Sequence, residues 1–409
     1  MKDDTVINNF FRYIKYDTQS QEDAQTFPST EKQKKLGKLL YEELKKMGAS
    51  DPFFDDTYGY VYAKIPANCQ DGDGKVLGFI SHMDTSPETS GANIHARLVK
   101  DYNGGDICLN EKENIILSPR EYPELRDYIG KQLIVTDGTT LLGADDKAGV
   151  AEIMTMTEYL LAHPEIKHRE IAIAFTPDEE VGSGVDHFDL KRFGADYAYT
   201  VDGGAIGELE YENFNAAFAR IEVHGVTVHP GEAKNKMKNA SRIAMEFDKN
   251  LPEQQRPEYT QGYEGFFHLT NMEGGTEQAS LQYIIRDHDR ERFEEKKVLL
   301  KQNAEFLNAK YGMGTVQYQI KDSYYNMKEK IEPEYLFLIE KAKACMEELS
   351  IVPKIQPIRG GTDGARLSFM GLPCPNLCTG GHNFHGRFEY CCVESMQQIV
   401  RLLLLLAQK

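Results

Sequence analysis

Polar and apolar positions along this chain fall into two textures. In the first, short apolar runs recur without polar alternation: Val76-Leu-Gly-Phe-Ile80, Gln132-Leu-Ile-Val135, Ile171-Ala-Ile-Ala-Phe175 and Tyr197-Ala-Tyr-Thr-Val201. Runs of this length predict strands buried on both faces, as in a mainly parallel sheet. Tyr60-Val-Tyr-Ala-Lys-Ile65 reads as a further strand. Between the strands the period lengthens to that of a helix. Leu36, Leu40, Leu44 and Met47 share one face of a helix that Thr30 would cap and Gly48 would end. Val150, Ile153, Met154, Leu160 and Leu161 form the apolar face of a second helix, and Leu402 to Leu406 reads as a buried helix following Glu394. Residues 91–128 are polar and irregular and predict an excursion from the sheet.

From about Leu209 the pattern becomes alternating. Residues 214–228 predict a strand with one polar face, turned by His229-Pro-Gly231. Residues 263–270, 280–287 and 315–321 read as strands, and 239–248 and 291–310 as helices. Strands joined by short turns and accompanied by two helices indicate a small α+β domain. The expected fold class is therefore α/β: a mixed, mainly parallel sheet with helices on both faces, spanning 1–208 and 327–409, with a smaller α+β lid inserted at 209–326. A chain of 409 residues is also longer than a single core usually supports.

Composition narrows the function more than the fold. Against 47 basic residues stand 64 acidic ones, a net charge of −17, which argues against nucleic acid or an anionic membrane as partner. Met1-Lys-Asp-Asp-Thr-Val has acids where a secretory leader needs bases, and Leu402 to Leu406 is too short to span a bilayer. Seven scattered cysteines form no disulfide framework, and Cys374, Cys378, Cys391 and Cys392 lack zinc-ribbon spacing and read as core thiols. A cytoplasmic location is expected.

The candidate chemistry lies where the apolar runs stop. His82 and Asp84 follow the run 76–80, and residues two apart on a strand share a face. Asp145 and Asp146 head the second helix, Glu179 and Glu180 follow 171–175, and Asp202 follows 197–201. Gly138-x4-Gly143 is no phosphate loop, because Ala144 and Asp145 stand where Lys and Ser/Thr are needed. Any one acidic pair could be a solvated turn. Four such clusters at strand ends that converge on one edge of a sheet read as a metal site. In an adjacent Glu-Glu pair one carboxylate can bind metal while its neighbour moves a proton. Two Gly-rich loops follow, Arg359-Gly-Gly-Thr-Asp-Gly364 and Thr379-Gly-Gly-His-Asn-Phe-His-Gly386, the second carrying His382 and His385.

Ser81-His-Met-Asp84, Gly143-Ala-Asp-Asp-Lys147, Asp178-Glu-Glu-Val-Gly182, Arg359-Gly-Gly-Thr-Asp-Gly364 and Asn383-Phe-His-Gly386 together resemble the motif set of the M20 metallopeptidases, and most closely their tripeptide aminopeptidases. The resemblance covers essentially the whole chain. It implies two zinc ions per subunit, with cobalt or manganese as substitutes: His82 and Asp202 would hold one, Glu180 and His385 the other, and Asp145 would bridge them with a water or hydroxide. Asp84 would orient His82, Glu179 would be the general base, and the Asp145–Asp146 peptide bond would be cis. His229 would meet the substrate or oxyanion, and Arg286 and Arg359 are candidates for a substrate carboxylate. The implied substrates are tripeptides, cut after the first residue, and the implied partner is a second copy through the lid. Dipeptidase, carboxypeptidase and acyl-amino-acid amidohydrolase activities share this scaffold. A peptide-binding protein without catalysis is the alternative from another class.

Overall fold

The computed structural model describes residues 4–69 and 74–408. The chain divides into two compact units, one of Met1–Tyr211, Lys330–Gln356 and Thr362–Lys409, the other of Glu212–Glu329 and Pro357–Gly361.

An eight-stranded sheet forms the first unit, in the order Ser50–Phe54, Val61–Ile65, Ile171–Thr176, Leu77–His82, Tyr197–Gly203, Asn376–Cys378, Glu208–Glu210, Lys354–Ile355. Its central ladders, from Ile171–Thr176 across to Asn376–Cys378, are parallel, and antiparallel pairings flank them. The sheet is thus mixed and parallel at its centre, where the unbroken apolar runs lie. Alternation along one strand feeds two cores of different character. Ile171, Ile173 and Phe175 join the large core beneath the helices Thr5–Tyr13, Gln33–Met47, Ala144–Ala162 and Val393–Gln408. Ala172 and Ala174 face the other way, where Tyr60, Tyr62, Phe188 and Phe193 supply the bulk. Gly78 belongs to that arrangement, since a Cβ there would lie 2.5 Å from Phe193 Cζ.

Three expectations need correcting. The helix Gln33–Met47 starts after Thr30, whose hydroxyl instead donates to the Gln19 carbonyl at 2.8 Å; Gly48 ends it in the left-handed region at φ 89°, as expected. The helix Ala144–Ala162 has no single apolar stripe: it is buried on nearly every side, packed between the sheet and the helices Thr5–Tyr13 and Val393–Gln408. Leu133–Val135 is not in the main sheet. It pairs with Arg97–Val99 and Tyr390–Cys392 in a separate four-stranded sheet completed by Gly381–His382. The polar excursion also has order of its own, with strands Ile107–Asn110 and Ile115–Leu117 closing over Tyr102, Leu125 and Tyr128. Cys374, Cys378, Cys391 and Cys392 are buried.

The second unit is a four-stranded antiparallel sheet, ordered Phe266–Gly274, Gln278–Asp287, Asn215–His224, Val316–Tyr324. Ala217, Ala219, Ile221 and Val223 alternate inward against the helices Ala240–Lys249 and Arg290–Tyr311, and Phe218, Arg220 and Glu222 point away. Asn239 and Asp289 cap those helices through their side chains. Among the described residues no helix is long and apolar enough to cross a membrane.

Within the central helix, Glu152 is fully buried and neither carboxylate oxygen has a hydrogen-bond partner among the described residues. Burial, reinforced by Asp146, pushes its carboxyl well above the ordinary 4.5. The folded chain therefore holds this proton more tightly than the unfolded one, and stability falls as pH rises from the unfolded value toward the folded one. Glu152→Met should raise the unfolding free energy by about 1–3 kcal/mol, the cost of an unsatisfied buried polar group, and by more at neutral pH than in mild acid. Urea denaturation at the two pH values checks this; an unchanged or lower midpoint at neutral pH contradicts it.

Candidate metal centre

Three neighbouring strands end at one level. His82 stands opposite Thr176 in one parallel ladder, and Ile80 opposite Thr200 in the next. Two residues past Ile80 and Thr200, His82 and Asp202 are lateral neighbours, with Nε2 3.2 Å from Oδ1. Beyond Thr176 the chain turns through Asp178 at φ 56° into the single 3-10 turn Glu179–Val181. Asp178 holds that turn: it accepts from Ser29 N, Ser29 Oγ and Gln33 Nε2, and its own amide donates to Gln33 Oε1.

Asp145 approaches from the second sheet, at the first turn of the helix Ala144–Ala162, and its peptide bond to Asp146 is cis. Its carboxylate lies between two imidazoles: Oδ1 is 2.9 Å from His82 Nε2 and Oδ2 is 3.3 Å from His385 Nε2. The same His385 nitrogen is 2.9 Å from Glu180 Oε2. One ligand atom each from His82, Asp145 and Glu180 lies within 4.8 Å of the others, and the same holds for His82, Glu179 and Asp202. Glu179 thus also lies within ligand range of His82 and Asp202.

Behind these groups, other acids are held by backbone donors. Asp84 is wholly buried and accepts from the amides of Glu179 at 3.0 Å and Glu180 at 3.2 Å. It faces His82 Nδ1 through its carboxylate at 3.4 Å and its carbonyl at 3.1 Å, which leaves Nε2 toward the cluster. Asp146 accepts from Ser81 Oγ, the His82 amide and the Gly149 amide. Glu389 accepts from the amides of Leu142, Gly143 and Asp145. Asp363, also buried, accepts from Thr176 Oγ1 at 2.9 Å.

Crowding of acids dominates the electrostatics. Burial and then Asp202 raise the Glu179 carboxyl well above its ordinary range. Burial and then Asp145 push Glu180 up to about 8, against the hydrogen bond from His385. Burial lifts Asp202 to about 6 against the charge of His82. Burial also acts to raise Asp145, but hydrogen bonds from His385 and His82 prevail and hold it low. Hydrogen bonds to Asp145 and Glu180 push the His385 imidazole up to about 11. Burial acts to lower His82, yet Asp202, Asp145 and Asp84 leave it well above 6.5.

Such a set fits divalent cations. Its donors are carboxylate oxygens and imidazole nitrogens without a thiolate, suited to zinc, cobalt or manganese. Glu180 Oε1 is buried and has no hydrogen-bond partner among the described residues, and facing carboxylates raise one another in the way that an intervening cation relieves.

The structure brings together His82, Asp84, Asp145, Glu179, Glu180, Asp202 and His385. His382 stands apart: its Nε2 meets Tyr128 Oη at 2.6 Å, its ring stacks on Tyr390, and burial pushes it down to about 4. Within the second unit His229 is exposed and accepts from the Gly231 amide at 3.2 Å. Arg286 lies over the Tyr324 ring and has no carboxylate partner among the described residues. Arg359 donates to the carbonyls of Gly262 and Glu264 and to Thr260 Oγ1, and lies over Phe214. It is engaged as a tie within its own unit. Sequence reasoning gave no role to Asp146, Asp178, Asp363 or Glu389. The first three lie in motifs already singled out; Glu389 has no local signal at all.

The chain is similar to known proteins over its whole length. A peptidase dimerisation domain family matches residues 211–315. Peptidase T of Clostridium acetobutylicum is 58% identical over 398 residues, covering 97% of each chain. Of solved structures, aminopeptidase PepT from Bacillus cereus aligns with a TM-score of 0.76 at 24% identity, over 100% of this chain and 98% of its own. A dinuclear metal-binding peptidase of the M20 family from Bacillus subtilis aligns with a TM-score of 0.67 at 15% identity, over 100% and 98%.

Because carboxylates push both imidazoles up and burial pushes Glu180 and Asp202 up, cation binding should release protons. Calorimetric titration with zinc in two buffers of different ionisation enthalpy should give apparent enthalpies that differ. Equal enthalpies would mean that His82 and His385 are already neutral.

Proposed function

Because this chain belongs to the peptidase T family of M20 metallopeptidases, we propose that it removes the N-terminal residue of tripeptides at a centre of two divalent cations. The observation that carries the reading is Asp145, whose two oxygens each face a different imidazole. In this reading His82 and Asp202 would hold one cation, Glu180 and His385 the other, and Asp145 would serve both. Two zinc ions, with cobalt or manganese as substitutes, would supply a water of lowered pKa and polarise the scissile carbonyl.

The chain's own groups have distinct tasks. Asp84 fixes the orientation of His82 and, through the amides of Glu179 and Glu180, the turn that presents both glutamates. Glu179 takes the proton of the attacking water and returns it to the leaving amine. Its raised carboxyl suits that exchange near neutral pH, where a carboxylate of ordinary pKa is a weak base. The same acids favour a substrate ammonium close to the scissile bond, which distinguishes an aminopeptidase from a carboxypeptidase on this scaffold. Arg286, whose guanidinium has no acidic partner among the described residues, is the stronger candidate for the substrate carboxylate; Arg359 is already bound to carbonyls, and His229 is kept for the oxyanion. The dimerisation-domain match supports a homodimer through the second unit, and the buried thiols fit a reducing cytoplasm.

Two experiments test this. Mass spectrometry of the products from a tripeptide of three distinct residues should show the free first residue and the remaining dipeptide; release of the third residue would make the enzyme a carboxypeptidase. Glu179→Ala should retain both metals by elemental analysis while turnover falls by about 10²–10⁴-fold, whereas Glu180→Ala should lose metal as well. Equal metal loss in both variants would make Glu179 a ligand, as its place beside His82 and Asp202 allows.

A further inference from the structure

Glu389 lies outside every motif of the site, yet its carboxylate is committed entirely to one turn of backbone. It is 1% exposed. One oxygen accepts from the amides of Leu142 at 2.6 Å and Gly143 at 2.8 Å, and the other from the amide of Asp145 at 3.1 Å. Those amides belong to the turn that carries Asp145 into the centre. Glu389 itself ends the loop that carries His385, and its own amide donates back to the Gly386 carbonyl at 3.2 Å. Immediately after it, Tyr390–Cys392 pairs antiparallel with Leu133–Val135, the strand that leads to the same turn. Two segments far apart in sequence are therefore joined by a short ladder, by bonds between Gln132 and residues 393 and 394, and by this carboxylate, which is the join that reaches the Asp145 amide itself.

We infer that Glu389 is a positioning residue that sets the spacing between Asp145 and His385 by clamping the turn of one to the loop of the other. This rests on the metal centre proposed above. Three amides converging on one buried carboxylate fix the backbone of Asp145 in position and tilt, while its side chain spans the 2.9 Å and 3.3 Å approaches to His82 and His385. A group held only by those two imidazoles could follow either one. Held also at its amide, it stays between them. The requirement is for a carboxylate specifically. A glutamine has a single oxygen, and its amino group would point N–H bonds at the backbone donors on one side. An aspartate keeps the charge but is one methylene short of reaching both sides.

The test compares wild type, Glu389→Gln, Glu389→Asp and, as a control, Tyr199→Phe, which removes a buried hydrogen bond from the main sheet to the Leu338 carbonyl. Zinc affinity and stoichiometry are read by calorimetry, and coordination by the visible spectrum of the cobalt-loaded enzyme. Wild type should bind two cations. Glu389→Gln should weaken at least one by about 10–100-fold, the usual effect of removing a partner that orients a ligand, and should shift the cobalt bands. Should Glu389→Gln fail to fold, Glu389→Asp carries the same readouts. Tyr199→Phe should lower the melting temperature and leave the bands unmoved. Native affinity and a native cobalt spectrum in the folded Glu389 variants would overturn the inference, as would an equal spectral shift in Tyr199→Phe. If wild type binds no cation, the metal centre itself fails, and this inference with it.

Discussion

Carboxylates confined together out of water are the constraint on which the rest of the first unit depends. Two unit charges 4 Å apart repel by about 4 kcal/mol at the effective dielectric of a protein surface, and here the acids are buried. The fold answers by treating them in two ways. Asp84, Asp146, Asp178 and Glu389 receive backbone amides or hydroxyls and are tied to the frame. Asp145, Glu179, Glu180 and Asp202 receive chiefly imidazoles or one another, and burial with mutual repulsion raises the last three. The tied acids are scaffold. The facing acids are the candidate ligands.

That division follows from topology. Parallel strands end together, so His82, Asp202 and the turn bearing Glu179 arrive side by side through register alone. The opposite wall comes from a different sheet, Leu133–Val135 with Tyr390–Cys392, which delivers Asp145 and His385. Two rigid sheets meeting across a buried gap can keep ligand spacing that one loop could not. Close helix packing completes the arrangement: at Gly149 a Cβ would lie 1.9 Å from the Val201 carbonyl, so only glycine lets the helix of Asp145 reach the strand of Asp202.

Much of this was legible in the chain because it is local. Unbroken apolar runs mark the central strands, and the polar residues where they stop are the cluster itself. Arg359 and the second sheet were not legible, for one reason: pairing partners distant in sequence leave no periodic trace. Leu133–Val135 looks like any short buried strand, and nothing in three residues says which sheet it joins. Arg359 sits beside a Gly-rich motif, yet its guanidinium is taken by carbonyls of residues 262 and 264. Glu389 is the extreme case, a functional candidate whose meaning lies wholly in amides some 245 positions away.

The central helix shows what such a site asks of its support. Its N-terminus carries Asp145 and Asp146, where the partial positive charge of a helix start favours acids. The next residue is Lys147, fully buried, its ammonium donating to the Tyr16 carbonyl at 2.8 Å. Burial pushes that lysine down to about 8, while Asp17, Glu389 and Asp84 pull it back toward its charged form. A buried lysine is costly by itself, and so is each acid near it. Together they are tolerable, because the lysine offsets charge from Glu389 and Asp84, two of the tied acids. Lys147 and the backbone amides thus serve the tied acids, while the facing acids have only the imidazoles and one another. That crowding of facing acids is what a divalent cation would relieve.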